Sequence, residues 1–88
     1  MTLSIHDFGE ILMSRPAGKE AFSLAKAYII GNLAKDEIIS LDFKDVKVLA
    51  PSWADEFITN LKNEFHNPIV CLNTENESVS QSLKYVNF

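Results

Sequence analysis

The sequence contains little cysteine, glycine or proline and no long apolar run: its 88 residues include one cysteine, three glycines and three prolines. A single cysteine, Cys71, excludes a disulfide within the chain, and no segment reaches the ~18 apolar residues that a membrane-spanning helix requires. The first residues also lack the basic start and continuous apolar core of a secretory signal. We therefore expect a cytoplasmic location and no membrane partner.

Basic residues are also few. Eight Lys and Arg against twelve Asp and Glu give a formal net charge of -4, and the basic residues are spaced singly along the chain. The sequence therefore lacks the clustered positive charge with which proteins bind nucleic acid. We expect no nucleic acid partner.

The residue patterns of common enzyme and metal sites are missing as well. Three glycines form neither a Gly-x-Gly-x-x-Gly motif nor a phosphate-binding loop. His6 and His66 have no second His or Cys at metal-ligand spacing, and no Gly-x-Ser-x-Gly motif marks a nucleophile. The acidic residues around Ser52 match no calcium-binding loop. The sequence predicts no catalytic residue, no metal and no cofactor.

What is present is an alternation of apolar strand patterns with helical ones. With 47% hydrophobic and 23% charged residues, the composition is typical of a folded globular domain, and residues 1–88 are long enough for one. Strands that alternate with helices predict an α/β fold with a mainly parallel or mixed sheet of about four strands, packed with about three helices.

The predicted strands follow the runs of β-branched and aromatic residues. A first strand begins at Leu3 and ends near Gly9, and Glu10 to Met13 extends it or pairs with it. Glu37 to Phe43 is so apolar that we expect a central strand covered on both faces. Val46 to Leu49 returns across the top of the sheet, and Ile69 to Leu72 predicts a buried strand in which Cys71 is a core residue.

Each helix start has a capping signal. Ser14 precedes Pro16, as expected for a capped helix with proline in its first turn. Ser52 with Asp55 and Thr74 with Glu77 resemble capping boxes. The apolar positions expected to face the sheet are Ala21, Phe22, Leu24, Ala25, Tyr28, Ile29 and Leu33 in the first helix, Trp53, Phe57, Ile58, Leu61 and Phe65 in the second, and Val79, Leu83 and Val86 in the third.

Several of these segments resemble the STAS-like domains of unknown function, a family related to the anti-sigma-factor antagonists. The resemblance extends from about Leu3 to Val86. The residues that carry it are the strand Ile38 to Phe43 with Asp42 and Phe43, the return Val46 to Leu49, the helix start Pro51-Ser52-Trp53-Ala54-Asp55-Glu56-Phe57, and Ser14-Arg15 before a helix with Ala21.

The resemblance implies a regulatory protein-interaction module, in circuits that also contain histidine-kinase-like ATPases. In the antagonists, a serine at the start of the helix after the central strand is phosphorylated, and Ser52 lies at the matching place. Ala50, Pro51 and Trp53 depart from the antagonists' residues, which argues against phosphorylation, and the preference of serine for helix starts favours a structural cap as the role of Ser52. The residues expected to contact a partner are Ser14, Arg15, Pro51, Ser52, Trp53, Asp55 and Glu56.

Two functions remain open at this point. The first is a non-enzymatic module that binds a protein partner, either a histidine-kinase-like ATPase or a regulator, and that phosphorylation of Ser52 switches. The alternative is a small-molecule or nucleotide-binding domain that uses the sheet end near Ser14, Arg15 and Ser52. A concave pocket with converging polar groups would favour the alternative, and a flat surface would favour the first function.

Overall fold

The computed structural model describes residues 1–88, which form five short strands and three helices. The strands are β1 (Thr2–Ser4), β2 (Ile11–Leu12), β3 (Ile39–Asp42), β4 (Val48–Leu49) and β5 (Ile69–Leu72), and a 3-10 turn (Ile5–Phe8) follows β1. The helices are α1 (Arg15–Asn32), α2, which consists of the consecutive segments Pro51–Ala54, Asp55–Thr59 and Asn60–Glu64, and α3 (Glu77–Tyr85). None of them is long and apolar enough to cross a membrane.

All strand pairs are parallel, and the α/β prediction is confirmed. Three strands form a sheet in the order β1-β3-β5, and β2 and β4 form a separate two-stranded sheet. The prediction that Glu10 to Met13 extends or pairs with the first strand is wrong, because β2 pairs with β4. The 3-10 turn and Gly9, whose φ is 131°, lie between β1 and β2 and direct the chain away from the first sheet.

The central strand β3 is covered on only one face, contrary to the sequence prediction. Ile39 and Leu41 are buried, whereas Ser40 and Asp42 on the opposite face are only half-buried. The two crossovers, β1 to β3 and β3 to β5, step in the same direction across the sheet. Because such connections are right-handed, both α1 and α2 lie on the same face. The other face remains open.

The open face of the sheet explains why two apolar residues of the edge strand β5 are exposed. β5 has β3 as its single neighbour, and Val70 and Leu72 are exposed on the open face. Cys71 packs against the core from the helix side and is half-buried. Burial raises the pKa of the Cys71 thiol to about 11.

Helix α1 has the predicted cap but a narrower buried face than predicted. The Ser14 hydroxyl accepts a hydrogen bond from the Ala17 N–H at 3.1 Å, which confirms the cap. The buried residues of α1 are Gly18, Ala21, Phe22, Ala25 and Ile29. The prediction that Leu24 and Tyr28 face the sheet is wrong. Both are exposed, because they lie on the side of α1 that is turned away from α2 and the sheet.

Helix α2 supplies the aromatic part of the core, as predicted. Trp53, Phe57, Ile58 and Leu61 are buried. The rings of Trp53 and Phe57 are stacked with centroids 5.1 Å apart, and Phe22 of α1 meets the Phe57 ring edge-on at 6.1 Å. The middle segment Asp55–Thr59 is a π-helical turn. This wider turn contains two consecutive buried side chains, Phe57 and Ile58.

Helix α3 is capped by a different residue from the one predicted. The Asn76 side chain, not Thr74, accepts the hydrogen bond from the Val79 N–H, at 3.2 Å. Val79, Leu83 and Val86 are buried as predicted. The side chains of Ser78 and Ser82 both donate to the Leu49 carbonyl, so α3 is held against the end of β4.

Candidate functional site

The starts of α1 and α2 meet, and Ser52 joins them. Its hydroxyl donates a hydrogen bond to the Met13 carbonyl at 3.0 Å. The N-cap of α2 is Ala50, which has no side-chain cap, and the first helical residue is Pro51. The prediction that Ser52 caps the helix in a box with Asp55 is therefore wrong. Proline is preorganised for the first helical position, so the helix begins before Ser52. The Ser52 hydroxyl instead bonds the backbone of Met13, just before α1.

A second contact joins the same two helices. The Arg15 Nη1 donates to Asp55 Oδ2 at 2.7 Å and lies 3.5 Å from Glu56 Oε2. The other oxygen of the Asp55 carboxylate, Oδ1, accepts a hydrogen bond from the Thr59 hydroxyl at 2.8 Å. Arg15 and then Thr59 hold the pKa of Asp55 below its usual value, and Asp55 raises the pKa of Arg15.

This ion pair lies at the surface. The side chains of Arg15 and Asp55 are 49% and 36% exposed, and an exposed pair of this kind contributes only ~0 to 1 kcal/mol to stability. Its charges therefore remain accessible to another molecule. One guanidinium stands beside two carboxylates, so the surface is mixed in sign and does not present a free cation to a phosphate.

Trp53 is the one predicted contact residue that the structure places elsewhere. It is 1% exposed and stacks on Phe57 inside the core. It therefore does not contribute to the exposed surface at the helix starts, because one face of α2 must be buried and Trp53 is the first large apolar residue on that face.

The other six predicted contact residues lie at the two adjoining helix starts, which we name the junction surface: Ser14, Arg15, Pro51, Ser52, Asp55 and Glu56. Sequence reasoning missed two further participants, Met13 and Thr59. Thr59 follows Asp55 by four residues, a helical spacing that favours side-chain contact. Met13 takes part through its backbone carbonyl, for which the sequence carries no signal.

The junction surface is not built around a cavity. None of the three cavities in the structure is lined by Ser14, Arg15 or Ser52. No three His, Cys, Asp or Glu side chains are grouped so that they could hold a metal ion. The surface offers hydrogen-bonding groups and both signs of charge, and the contacts between the two helix starts hold it in place.

Comparison with known proteins gives one match. The model of a family described as a STAS-like domain of unknown function matches residues 26–88. No curated protein and no solved structure matches the chain. The matched region contains all of α2 with Ser52, Asp55 and Glu56, whereas Ser14 and Arg15 precede it.

Proposed function

The chain belongs to the family of STAS-like domains of unknown function, and from this membership we propose that it is a non-enzymatic regulatory module that binds another protein through the junction surface. The observation that carries the proposal is the pair of contacts, Arg15 to Asp55 and Ser52 to Met13, that joins the starts of α1 and α2. A surface held in place before binding loses less conformational entropy when a partner docks.

Two further observations support this location. Asp55 and Glu56 lie in the π-helical turn of α2, and such turns occur frequently at functional sites. The alternative, a small-molecule or nucleotide site near Ser14, Arg15 and Ser52, lacks the concave pocket that such ligands usually occupy. No observation favours that alternative over protein binding.

The partner that the family resemblance implies is a histidine-kinase-like ATPase or a regulator that acts with one. The direct test is to purify the binding partner from the native cell and to measure its affinity for variants of the chain. We expect Arg15→Glu and Glu56→Lys each to weaken binding by about tenfold or more, as for charged residues at an interface centre.

Glu64→Lys is the matched control for Glu56→Lys. It makes the same charge change at the far end of α2, where Glu64 pairs with Lys26 at 2.7 Å. If Glu64→Lys weakened binding as much as Glu56→Lys, or if neither surface variant changed the affinity, the junction surface would not be the partner site.

We also propose phosphorylation of Ser52 as the switch. A phosphoryl group on the hydroxyl would remove its hydrogen bond to Met13. The added charge of about -1.5 to -2 would be one helical turn from Asp55 and Glu56 and would compete with them for Arg15. The chain purified from its native cell with phosphatase inhibitors should carry a phosphoryl group on Ser52 in one signalling state. If Ser52 were unmodified in every state, the switch would be excluded. The proposal of partner binding would still stand.

A further inference from the structure

The exposed side of α1 forms one wall of an apolar groove. Ala17, Ala21, Leu24 and Tyr28 follow one another at spacings of four, three and four residues, so they share one face of the helix. Leu24 is 63% exposed and Tyr28 is 54% exposed. The small side chains of Ala21 and Ala25 next to them are buried and line the bottom of the groove.

The opposite wall comes from the first residues of the chain. Two cavities of about 340 and 400 Å³ lie side by side along α1, and Phe8, Asp7 and Leu24 line both of them. Ile11 and Leu12 of β2 and Trp53 of α2 also line the first cavity, and β1 lines the second. We name this continuous depression the Leu24 groove. Single exposed apolar residues are ordinary on protein surfaces, but a concave apolar run is typical of a binding site.

The charged side chains that line the groove are all acidic. Asp7 lines both cavities and Glu20 lines the first, whereas no Lys, Arg or His side chain lines either. Neither carboxylate takes part in an ion pair within the chain. Two unpaired carboxylates beside an apolar surface favour a ligand that carries positive charge next to apolar groups.

We propose that the Leu24 groove binds a short segment of another protein that carries apolar side chains and at least one Lys or Arg. Its apolar side chains fill the two cavities against Leu24, Phe8 and Tyr28, and its cation lies near Asp7 and Glu20. A second copy of this chain fits less well, since its own groove is acidic and the net charge of each copy is -4. The proposal adds a second binding surface to the junction surface.

Selection from a random peptide library on the immobilised full chain tests the proposal. We expect the recovered peptides to combine apolar residues with Lys or Arg. A recovered peptide is then synthesised and its affinity for each variant is measured. Leu24→Glu and the double variant Asp7→Lys, Glu20→Lys should each lower that affinity by about tenfold or more. Ile30→Glu is the control, because Ile30 is 66% exposed on α1 and lines neither cavity.

Several outcomes would overturn the proposal. These are the recovery of no peptide above background, a preference for acidic peptides, equal losses in Leu24→Glu and Ile30→Glu, or a dimer whose interface covers the groove. Circular dichroism of each variant should show the fold retained, because Leu24, Asp7, Glu20 and Ile30 are all exposed. Peptides that lose affinity in Glu56→Lys but not in Leu24→Glu would bind the junction surface; that result would refute the groove and leave the proposed function standing.

Discussion

Gly18 of α1 lies directly against the backbone of Trp53 in α2, and no space remains there for a side chain. A Cβ at Gly18 would stand 2.8 Å from the Trp53 carbonyl oxygen and 3.1 Å from the Trp53 Cα. The two helices can approach this closely because residue 18 is glycine. One turn before Gly18, Arg15 reaches Asp55, so the close approach also sets the position of the junction surface.

Gly18→Ala should destabilise the protein. The methyl group would meet backbone atoms, which cannot move aside as a flexible side chain does, and overpacking of this kind costs ~1 to 3 kcal/mol. Urea unfolding followed by circular dichroism measures the loss. Gly31→Ala is the control, because a Cβ at Gly31 meets nothing within 4 Å and alanine favours a helix over glycine by ~0.5 to 1 kcal/mol. Equal stability of the two variants would contradict the close contact.

Substitution by aspartate should affect the stability of the protein differently at Ser52 and at Ser14. Ser52→Ala and Ser14→Ala should each cost ~0.5 to 2 kcal/mol of unfolding free energy, the first through a lost hydrogen bond and the second through a lost cap. Aspartate accepts hydrogen bonds as a cap does but, when ionised, donates none. Ser14→Asp should therefore retain stability, whereas Ser52→Asp should not recover what Ser52→Ala loses. A Ser52→Asp variant as stable as the original protein would contradict the importance of the hydrogen bond that Ser52 donates.

The protein should lose stability in acid. Arg15 and Thr59 lower the pKa of Asp55, and Asn73 with the Lys44 N–H lowers that of Asp42. The folded state therefore binds fewer protons than the unfolded chain below pH ~4, where free aspartates titrate. The stability that these two carboxylates contribute is fully present above that pH and is lost as the pH falls through their pKa values in the folded state. Urea midpoints at pH 7 and pH 3 measure the change, and Asp55→Asn should show a smaller one. A midpoint that did not fall in acid would refute this assignment.

Cys71 should react slowly with thiol reagents. With its pKa raised to about 11 by burial, only about one thiol in a thousand is ionised at pH 8, against roughly one in four for a free cysteine. Alkylation of the folded chain at pH 8 should therefore be on the order of a hundredfold slower than in denaturant. A rate that matched the denatured chain would show that β5 opens readily at its edge.

Much of the local structure follows from the sequence itself. Ser14 before Pro16 correctly predicts the start of α1, and the spacing of Phe57 and Leu61 correctly predicts the buried face of α2. The alternation of strands with helices correctly predicts a parallel α/β fold. The helix start and the buried face depend on residues within one or two turns of each other, and the fold class depends on the order of the elements along the chain. Both are visible in a single sequence as propensities and periodicities.

Only the tertiary structure decided which distant groups meet. It paired β2 with β4 and left one face of β3 open. It directed the Ser52 hydroxyl to Met13, exposed Leu24 and brought Arg15 to Asp55, forty residues along the chain. The physical reason is that these outcomes depend on how whole elements pack. An apolar side chain at helical spacing faces the core only if another element covers that side, and a serine at a helix start bonds whichever acceptor the fold places beside it.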